Sequence, residues 1–130
     1  MILLDTSVLV EGLGAGGSMR SALRHAIEQG ERIALPALVL YEWTRGPRIP
    51  EELDAQEALF PSRDALPFGP DEAHLAARLY RELPRSRGRE VDLAIAASAL
   101  VWRSKLWTLN VEDFRDVPGV NLVEIADADI

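Results

Sequence analysis

Residues 1–13 read MILLDTSVLVEGL, and this stretch decides the fold class. Its first four residues are apolar and lead to Asp5, as a short buried strand would. Thr6, Ser7 and the apolar residues after them are typical of a helix that begins directly after the strand. A strand joined to a helix over so few residues is the opening unit of an α/β domain.

The same alternation of strands and helices continues along all 130 residues. Proline and glycine mark many boundaries, because proline suits the first turn of a helix and glycine suits its end. We predict strands over residues 1–4, 32–35, 65–68, 106–109 and 120–125. We predict helices over residues 6–13, 19–29, 36–45, 51–60, 70–83 and 90–104, with a helical turn over 111–115. The pattern indicates one three-layer α/β/α domain, residues 1–130, with a mainly parallel sheet of four or five strands.

Composition restricts the chemistry that is available. Hydrophobic residues make up 48% of the chain and charged residues 27%, as in ordinary globular proteins. There is no cysteine, which excludes disulfides, thiolate catalysis and sulfur-ligated zinc. No apolar run approaches the roughly 18 residues of a membrane span, and no basic leader opens the chain. We therefore expect a cytoplasmic protein without a membrane segment.

The charge balance is acidic, but arginine is concentrated locally. The net charge of −7 argues against indiscriminate binding to nucleic acid. Two arginine groups stand out: Arg78, Arg81, Arg85, Arg87 and Arg89, and the smaller group of Arg45 and Arg48. They are interpreted either as a solvated helix face with its following loop or as a rim that contacts phosphate, which suits the guanidinium fork.

Three acids that are far apart in the chain each lie in or beside an apolar segment: Asp5, Glu42 and Asp92. A buried carboxylate must be protonated, paired with a cation or bound to a metal, because leaving it ionised and alone is costly. Asp5 also ends a strand, and ligands bind outside the carboxyl ends of parallel strands. If the three acids converge, they form a site for a hard divalent cation such as Mg²⁺ or Mn²⁺.

Each acid also has a purely structural interpretation. Asp5 can cap the helix that follows it. Glu42 can pair with Arg45, because residues three apart on a helix are neighbours. Asp92 lies in the first turn of a helix, where a carboxylate interacts favourably with the helix dipole. The residues three and four positions after Asp92 are apolar, however, so we expect its side chain to face inward.

Further candidate ligands follow the predicted strand over residues 106–109. Asn110 can supply a carbonyl oxygen to a metal and Asp113 a carboxylate. Both have alternatives, because asparagine is frequent in turns and aspartate can cap a short turn. A fourth ligand position is therefore expected here without being assigned to one residue.

Hydroxyl, imidazole and aromatic side chains receive more ordinary interpretations. Thr6 and Ser7 can satisfy free amides in the first turn of a helix, or either can orient Asp5. The histidines lack a second histidine at ligand spacing, so we expect them at the surface or in packing, and we expect the tryptophans in the core. These residues are His25, His74, Trp43, Trp102 and Trp107.

The candidate acids stand within four motifs. These are Ile2-Leu3-Leu4-Asp5-Thr6-Ser7, Tyr41-Glu42, Asp92-Leu93-Ala94-Ile95-Ala96-Ala97-Ser98-Ala99 and Thr108-Leu109-Asn110-Val111-Glu112-Asp113-Phe114. Their order and spacing cover essentially the whole chain and resemble those of PIN domains. The similarity is to the VapC-type toxin branch of small bacterial and archaeal ribonucleases.

The resemblance implies a Mg²⁺- or Mn²⁺-dependent endoribonuclease that hydrolyses phosphodiester bonds in RNA. It makes Asp5, Glu42 and Asp92 metal ligands, puts the fourth position at Asn110 and makes Asp113 an additional acid. A neutral Asn110 departs from a strict four-acid pattern. Together with charge and position, the resemblance indicates candidate substrate contacts at Thr6, Ser7, Thr108, Arg85 and Arg87. It also implies a toxin that is neutralised by an antitoxin encoded alongside it, and a homodimer.

Other functions remain open at this point. A phosphatase or a phospho-acceptor receiver also gathers aspartates and Mg²⁺ at the edge of a parallel sheet. The phosphatase pattern has a second aspartate where this chain has Ser7, and the receiver pattern has a downstream lysine, whereas the single lysine here is Lys105 at a helix end. The third possibility is a non-catalytic PIN-like domain that binds RNA or protein, which weak metal affinity at Asn110 would favour.

Overall fold

The computed structural model describes residues 1–15 and 17–124. Within them lie the strands β1 (Ile2–Leu4), β2 (Ile33–Ala34) and β3 (Lys105–Trp107). The helices are α1 (Thr6–Leu13), α2 (Arg20–Glu28), α3 (Ala37–Arg45), α4 (Pro50–Leu59), α5 (Pro70–Glu82) and α6 (Glu90–Val101). Two short 3-10 turns cover Ser62–Asp64 and Val111–Asp113. The elements form a three-layer α/β/α architecture, which confirms the predicted fold class.

The strands pair in parallel in the order β2, β1, β3. In the central strand, Leu3 pairs with Ala34 on one side and with Leu106 on the other. Leu3, Leu4 and Leu106 are fully buried, because helices cover the sheet on both sides. All three strands therefore end at the same edge of the sheet, and the residues that follow them meet there.

The predicted number of four or five strands is wrong, since the described residues form a sheet of three. The predicted strand over residues 65–68 is reduced to a single parallel bridge between Leu66 and Pro36. Proline has no N–H and cannot donate to a ladder, so Pro36 and Pro67 limit pairing at this edge.

The opposite edge is also extended by one bridge. The predicted strand over residues 120–125 contributes only the bridge between Leu122 and Leu106. Leu106 donates to the carbonyl of Asn121 at 2.8 Å and accepts from the N–H of Val123 at 2.9 Å. The strand β3, beside which this segment lies, is only three residues long, so few ladder hydrogen bonds can form between them. Ile125, the last residue of the predicted strand, lies outside the described residues.

Helix α6 is largely buried. Every residue from Leu93 to Ala99 is buried, and their mostly small side chains let α3 and α5 pack against the helix. The helix ends at Val101 and not at residue 104 as predicted. Arg103 adopts the left-handed conformation with φ of 52°, which cannot continue a right-handed helix. None of the helices in the described part of the chain is both long and apolar enough to cross a membrane.

The burial of the tryptophans and histidines can be compared with the predictions for them. Trp43 and Trp107 are buried, as predicted. Trp102 is 41% exposed, so its predicted place in the core is wrong. It follows the last residue of α6 and lies at the surface, where the chain turns away from the helix. His25 and His74 are exposed, as expected of surface residues.

Candidate metal centre

Asp5 lies directly after β1 and Thr108 directly after β3, so the parallel strands bring both residues to one edge of the sheet. Asp5 occupies the N-cap position of α1, but its side chain makes no cap hydrogen bond. Its Oδ2 atom instead accepts hydrogen bonds from the Thr108 hydroxyl at 2.7 Å and the Ser7 hydroxyl at 2.8 Å. The Asp5 side chain is therefore a buried and oriented carboxylate, and its second oxygen, Oδ1, accepts no hydrogen bond from the described residues.

The two hydroxyls that orient Asp5 are themselves fixed by the loop after β3. The Ser7 hydroxyl accepts the N–H of Leu109 at 3.0 Å. The Thr108 hydroxyl accepts the N–H of Asn110 at 3.0 Å. Ser7 and Thr108 thus orient an acid in this network, and neither satisfies an amide of the first turn of α1. Their predicted contact with substrate remains a prediction.

Glu42 is held by a neighbouring helix. It lies on α3, and its Oε1 atom accepts a hydrogen bond of 2.6 Å from the Thr6 hydroxyl on α1. The alternative pairing with Arg45 is weak, because the Arg45 Nη2 atom lies 3.7 Å from Oε2 and the arginine side chain is 57% exposed. Thr6 therefore positions Glu42 through Oε1, while Oε2 faces the guanidinium of Arg45 without a hydrogen bond.

Asp92 carries the strongest electrostatic signal in this region. It lies half-buried in the first turn of α6. Burial raises the pKa of its carboxyl to about 6, and the charges of Asp5, Asp113 and Glu42 add to the effect, in that order. The guanidinium of Arg89 opposes the rise. The three acids picked out by sequence thus lie close enough for their charges to interact.

The two candidates for a fourth ligand differ in their surroundings. Asp113 is exposed in the short turn after β3, and its charge helps to raise the pKa of Asp92. Asn110 is also exposed, and its hydrogen bonds within the described chain use its backbone, with the N–H bound to Thr108 and the carbonyl accepting from Asp113. Asp113 is therefore the candidate whose charge acts on Asp92.

Sequence reasoning missed the role of Arg89. Its guanidinium donates to both carboxylate oxygens of Asp116, at 2.7 and 3.0 Å, and to the carbonyl of Asp113 at 2.8 Å. This interaction raises the pKa of Arg89 and lowers that of Asp116. Arg89 thus anchors the turn that carries Asp113 beside α6. Its position three residues before Asp92 is the available signal. The concentration of arginine instead puts Arg89 in the group interpreted either as a solvated face or as a rim that contacts phosphate.

The remaining arginines of the loop over residues 84–89 face solvent. Arg85 and Arg87 are both exposed. Arg85 contributes to the lowered pKa of Asp116, after the larger effect of Arg89, so it lies beside the turn that carries Asp113. Arg87 makes a small contribution to the lowered pKa of Glu90. These two arginines therefore remain candidates for a rim around the acids.

The donor set fits a hard cation. The available ligands are carboxylate oxygens, which suit Mg²⁺ and Mn²⁺, and neighbouring hydroxyls already orient two of the acids. Over residues 1–15 and 17–124, however, no three acidic or histidine side chains are already arranged to hold a metal ion. Mutual repulsion keeps carboxylates apart until a cation neutralises them, and Mg²⁺ often retains several waters in place of protein ligands.

The hydrogen bonds of Arg89 predict a measurable coupling with Asp116. In a double-mutant cycle of Arg89→Ala and Asp116→Ala, we expect a coupling of about 1 kcal/mol in the free energy of unfolding, because the pair is bidentate and Arg89 is only 18% exposed. The matched control is Arg115 with Glu112, which has the same 2.7 Å N–O distance but is 66% and 79% exposed. Equal coupling in the two cycles, measured by urea unfolding, would contradict the assigned role.

The raised pKa of Asp92 predicts how stability depends on pH in the metal-free protein. The folded state holds the proton of the Asp92 carboxyl up to about pH 6. The stability that this proton gives to the folded state is therefore complete below the usual aspartate pKa and is lost as pH rises through about 6. Asp92→Asn removes this dependence. At about pH 8 the variant should be more stable by on the order of 1 kcal/mol, after allowing for solvent screening of a half-exposed group.

Urea unfolding with EDTA at about pH 4 and about pH 8 measures this difference. The control is Asp54→Asn, which neutralises an exposed aspartate on α4 and should change stability by less than about 0.5 kcal/mol. A less stable Asp92→Asn variant at the higher pH would contradict the prediction. It would mean that a partner stabilises the ionised Asp92 carboxyl by more than burial and the neighbouring acids destabilise it.

Comparisons with known proteins agree with this geometry. The family model for the PIN domain matches residues 2–120. Ribonuclease VapC19 of Mycobacterium tuberculosis is 37% identical over 122 residues, which span 92% of this chain and 97% of that protein. Ribonuclease VapC1 of Rickettsia felis is 36% identical over 67 residues, about half of each chain (49%).

Solved structures with the same fold extend the comparison. The VapBC2 structure from Rickettsia felis, bound to a promoter DNA fragment, matches with a TM-score of 0.75 at 20% identity, over 97% of this chain and 100% of that chain. A toxin-antitoxin complex from Klebsiella pneumoniae matches with a TM-score of 0.70 at 25% identity, over 96% and 100%. Together with the family match over nearly the whole chain, these findings confirm the resemblance in the sequence. The chain belongs to the PIN domain family, in its VapC ribonuclease branch.

Proposed function

We propose that this chain is a metal-dependent endoribonuclease that hydrolyses phosphodiester bonds in RNA and acts as the toxin of a toxin–antitoxin pair. The observation that carries the proposal is the position of the acids: Asp5 and Glu42 are oriented by neighbouring hydroxyls, and both lie close enough to Asp92 for their charges to add to the effect of burial on its pKa. A group of acids that repel one another gains most from a bound divalent cation. The VapC relatives are ribonucleases by name, which supports the same chemistry.

We propose that Asp5, Glu42, Asp92 and Asp113 hold the metal, which we take to be Mg²⁺ or Mn²⁺. When bound, such a metal supplies activation of water and charge stabilisation at the scissile phosphate. Asn110 can add a neutral amide oxygen near the same edge. Its lack of charge leaves Asp113 as the acid that completes the set.

The roles of the neighbouring hydroxyls follow from their hydrogen bonds. Thr6 donates to Glu42, while Ser7 and Thr108 donate to Asp5, so each hydroxyl proton is already committed to a carboxylate. In this proposal the carboxylates that accept these protons also hold the metal, which lowers their basicity, so none of the three hydroxyls is activated as a side-chain nucleophile. Water is therefore the nucleophile in this proposal, and the hydroxyls keep the carboxylates in position.

The proposed partners are RNA and an antitoxin protein. The solved structures with this fold include a VapBC complex and a further toxin-antitoxin complex, which support an antitoxin partner. A homodimer is proposed from the family alone. Both RNA and such an antitoxin are met in the cytoplasm, where we propose that the protein acts.

A non-catalytic PIN-like domain that binds RNA or protein is the alternative function. Two observations favour it: Asn110 is neutral, and the described residues contain no pre-arranged group of three metal-binding side chains. A titration with Mn²⁺, followed by an RNA cleavage assay, separates the two proposals. Metal binding without cleavage of any RNA would favour the alternative.

The catalytic proposal predicts the behaviour of Asp92→Asn in the cleavage assay. We expect loss of Mg²⁺- and Mn²⁺-dependent RNA cleavage to background, because the variant lacks an anionic ligand, while the circular dichroism spectrum is unchanged. Asp54→Asn is the matched control and should cleave as the wild type does. Undiminished cleavage by Asp92→Asn would remove this residue from the mechanism.

The exposed arginines of the loop over residues 84–89 make a separate prediction. Arg85→Ala combined with Arg87→Ala should weaken RNA binding and flatten its dependence on salt, by roughly 0.7 in the log–log slope for each phosphate that the variant no longer neutralises. Fluorescence anisotropy with a labelled single-stranded RNA measures both effects. Arg63→Gln, which changes an arginine that is 84% exposed, is the control. An unaltered slope in the double variant would show that these arginines are only surface residues.

A further inference from the structure

The outer face of α3 carries an arginine and a tyrosine beside a proposed metal ligand. The guanidinium of Arg45 lies 5.1 Å from the centre of the Tyr41 ring, and its Nη2 atom lies 3.7 Å from the Oε2 atom of Glu42. Tyr41 is 53% exposed and the Arg45 side chain 57% exposed. The Tyr41–Arg45 pair is thus a cation and an aromatic ring, both open to solvent, at the edge of the acidic site.

Arg45 differs from its neighbour Arg48 in how its donors are used. Arg48 donates to the carbonyls of Trp43 at 3.0 Å and Pro47 at 3.1 Å, and its guanidinium stacks 4.1 Å from the Trp43 ring centre. Arg48 therefore supports the end of α3. The guanidinium of Arg45 makes no hydrogen bond to any residue of the described chain, so its N–H groups are available to a ligand.

The position of Arg45 suits a phosphate bound next to the metal. Its nearest anion, Glu42 Oε2, lies beyond hydrogen-bonding distance. If Glu42 is committed to a metal, its attraction for Arg45 weakens further. The planar fork of the guanidinium then matches the oxygens of an incoming phosphate better than any group already present.

The Tyr41 ring suits a base of the RNA whose phosphate Arg45 would bind. An exposed ring gains little from folding, and this one packs against Arg45 and not in the core. Proteins recognise single-stranded nucleic acid with the same two kinds of side chain: cationic side chains contact the phosphates, and unpaired bases stack on aromatic rings. A base paired within a helix cannot reach such a ring without leaving its stack.

We infer that the Tyr41–Arg45 pair binds an unpaired nucleotide next to the scissile phosphate, with Arg45 on a phosphate and Tyr41 stacked on the base. The inference rests on the proposed ribonuclease function and deepens it. It assigns to these two side chains the contacts with an unpaired base and its phosphate. Arg45 and Tyr41 are then substrate-contacting residues that the metal ligands alone would not supply.

Steady-state cleavage kinetics test the ring. With a labelled single-stranded RNA, Tyr41→Ala should raise KM by about 10-fold with a smaller change in kcat, as expected when one base loses its stacking partner. Tyr41→Phe should retain the wild-type KM, because it keeps the ring and loses only the hydroxyl. With a fully paired hairpin stem of the same sequence, the wild type should cleave poorly and Tyr41→Ala should make no further difference.

Binding measurements test the cation. Arg45→Ala should lower the salt slope of RNA binding by roughly 0.7, equivalent to one neutralised phosphate, while Mn²⁺ binding stays as tight as in the wild type or becomes tighter. Arg45→Lys should restore the slope but not the full affinity, because it lacks the fork. Arg63→Gln again controls for the removal of one exposed charge. Melting temperatures should match the wild type, since both side chains are exposed.

The outcomes separate this inference from the proposed function. If the wild type and Arg63→Gln cleave RNA, but Tyr41→Ala and Arg45→Ala cleave with unchanged KM and salt slope, the inference is overturned and the ribonuclease proposal stands. If the wild type cleaves no RNA with Mg²⁺ or Mn²⁺, both fail. If the variants alter only self-association in sedimentation, the pair binds protein, and the inference is again overturned.

Discussion

Repulsion between carboxylates at one edge of a parallel sheet is the constraint on which the site depends. Asp5 is buried and oriented by two hydroxyls, so it cannot move away from the edge. Asp92 lies at the start of the buried helix α6, where burial and then the charges of the neighbouring acids raise the pKa of its carboxyl to about 6. The fold thus brings the acids near enough to repel one another, at a cost in stability, and a divalent cation is the ligand that offsets this cost.

The arginines divide by whether their donors are used inside the protein. Arg48 and Arg89 bind carbonyls or carboxylates of the chain itself, and each fixes a segment next to the acids. Arg45, Arg85 and Arg87 remain exposed, and Arg45 lies beside Glu42. An acidic protein can therefore attract an anionic polymer at one place, because local potential and not net charge governs contact with phosphate.

The hydroxyls connect the fold to the site. Thr6 and Ser7 belong to the first turn of α1, and each donates its hydroxyl proton to a carboxylate. Thr108 reaches Asp5 from the end of β3, so one small network joins the two strands that end at the site. Fixed donors of this kind keep carboxylate oxygens in a defined orientation, which a metal or substrate phosphate requires.

Local patterns in the sequence determined the α/β class and most helix positions, because apolar periodicity and strand ends are readable without long-range contacts. The family followed from the resemblance of four motifs, and the same motifs contain the candidate acids Asp5, Glu42 and Asp92. Only the tertiary structure decided the partners of these acids and the number of strands. Bridges at Leu66 and Leu122 replace predicted strands, and Arg89 binds Asp116, which is 27 residues further along the chain. Pairing between distant segments depends on how helices and strands pack, and no single stretch of sequence carries that information.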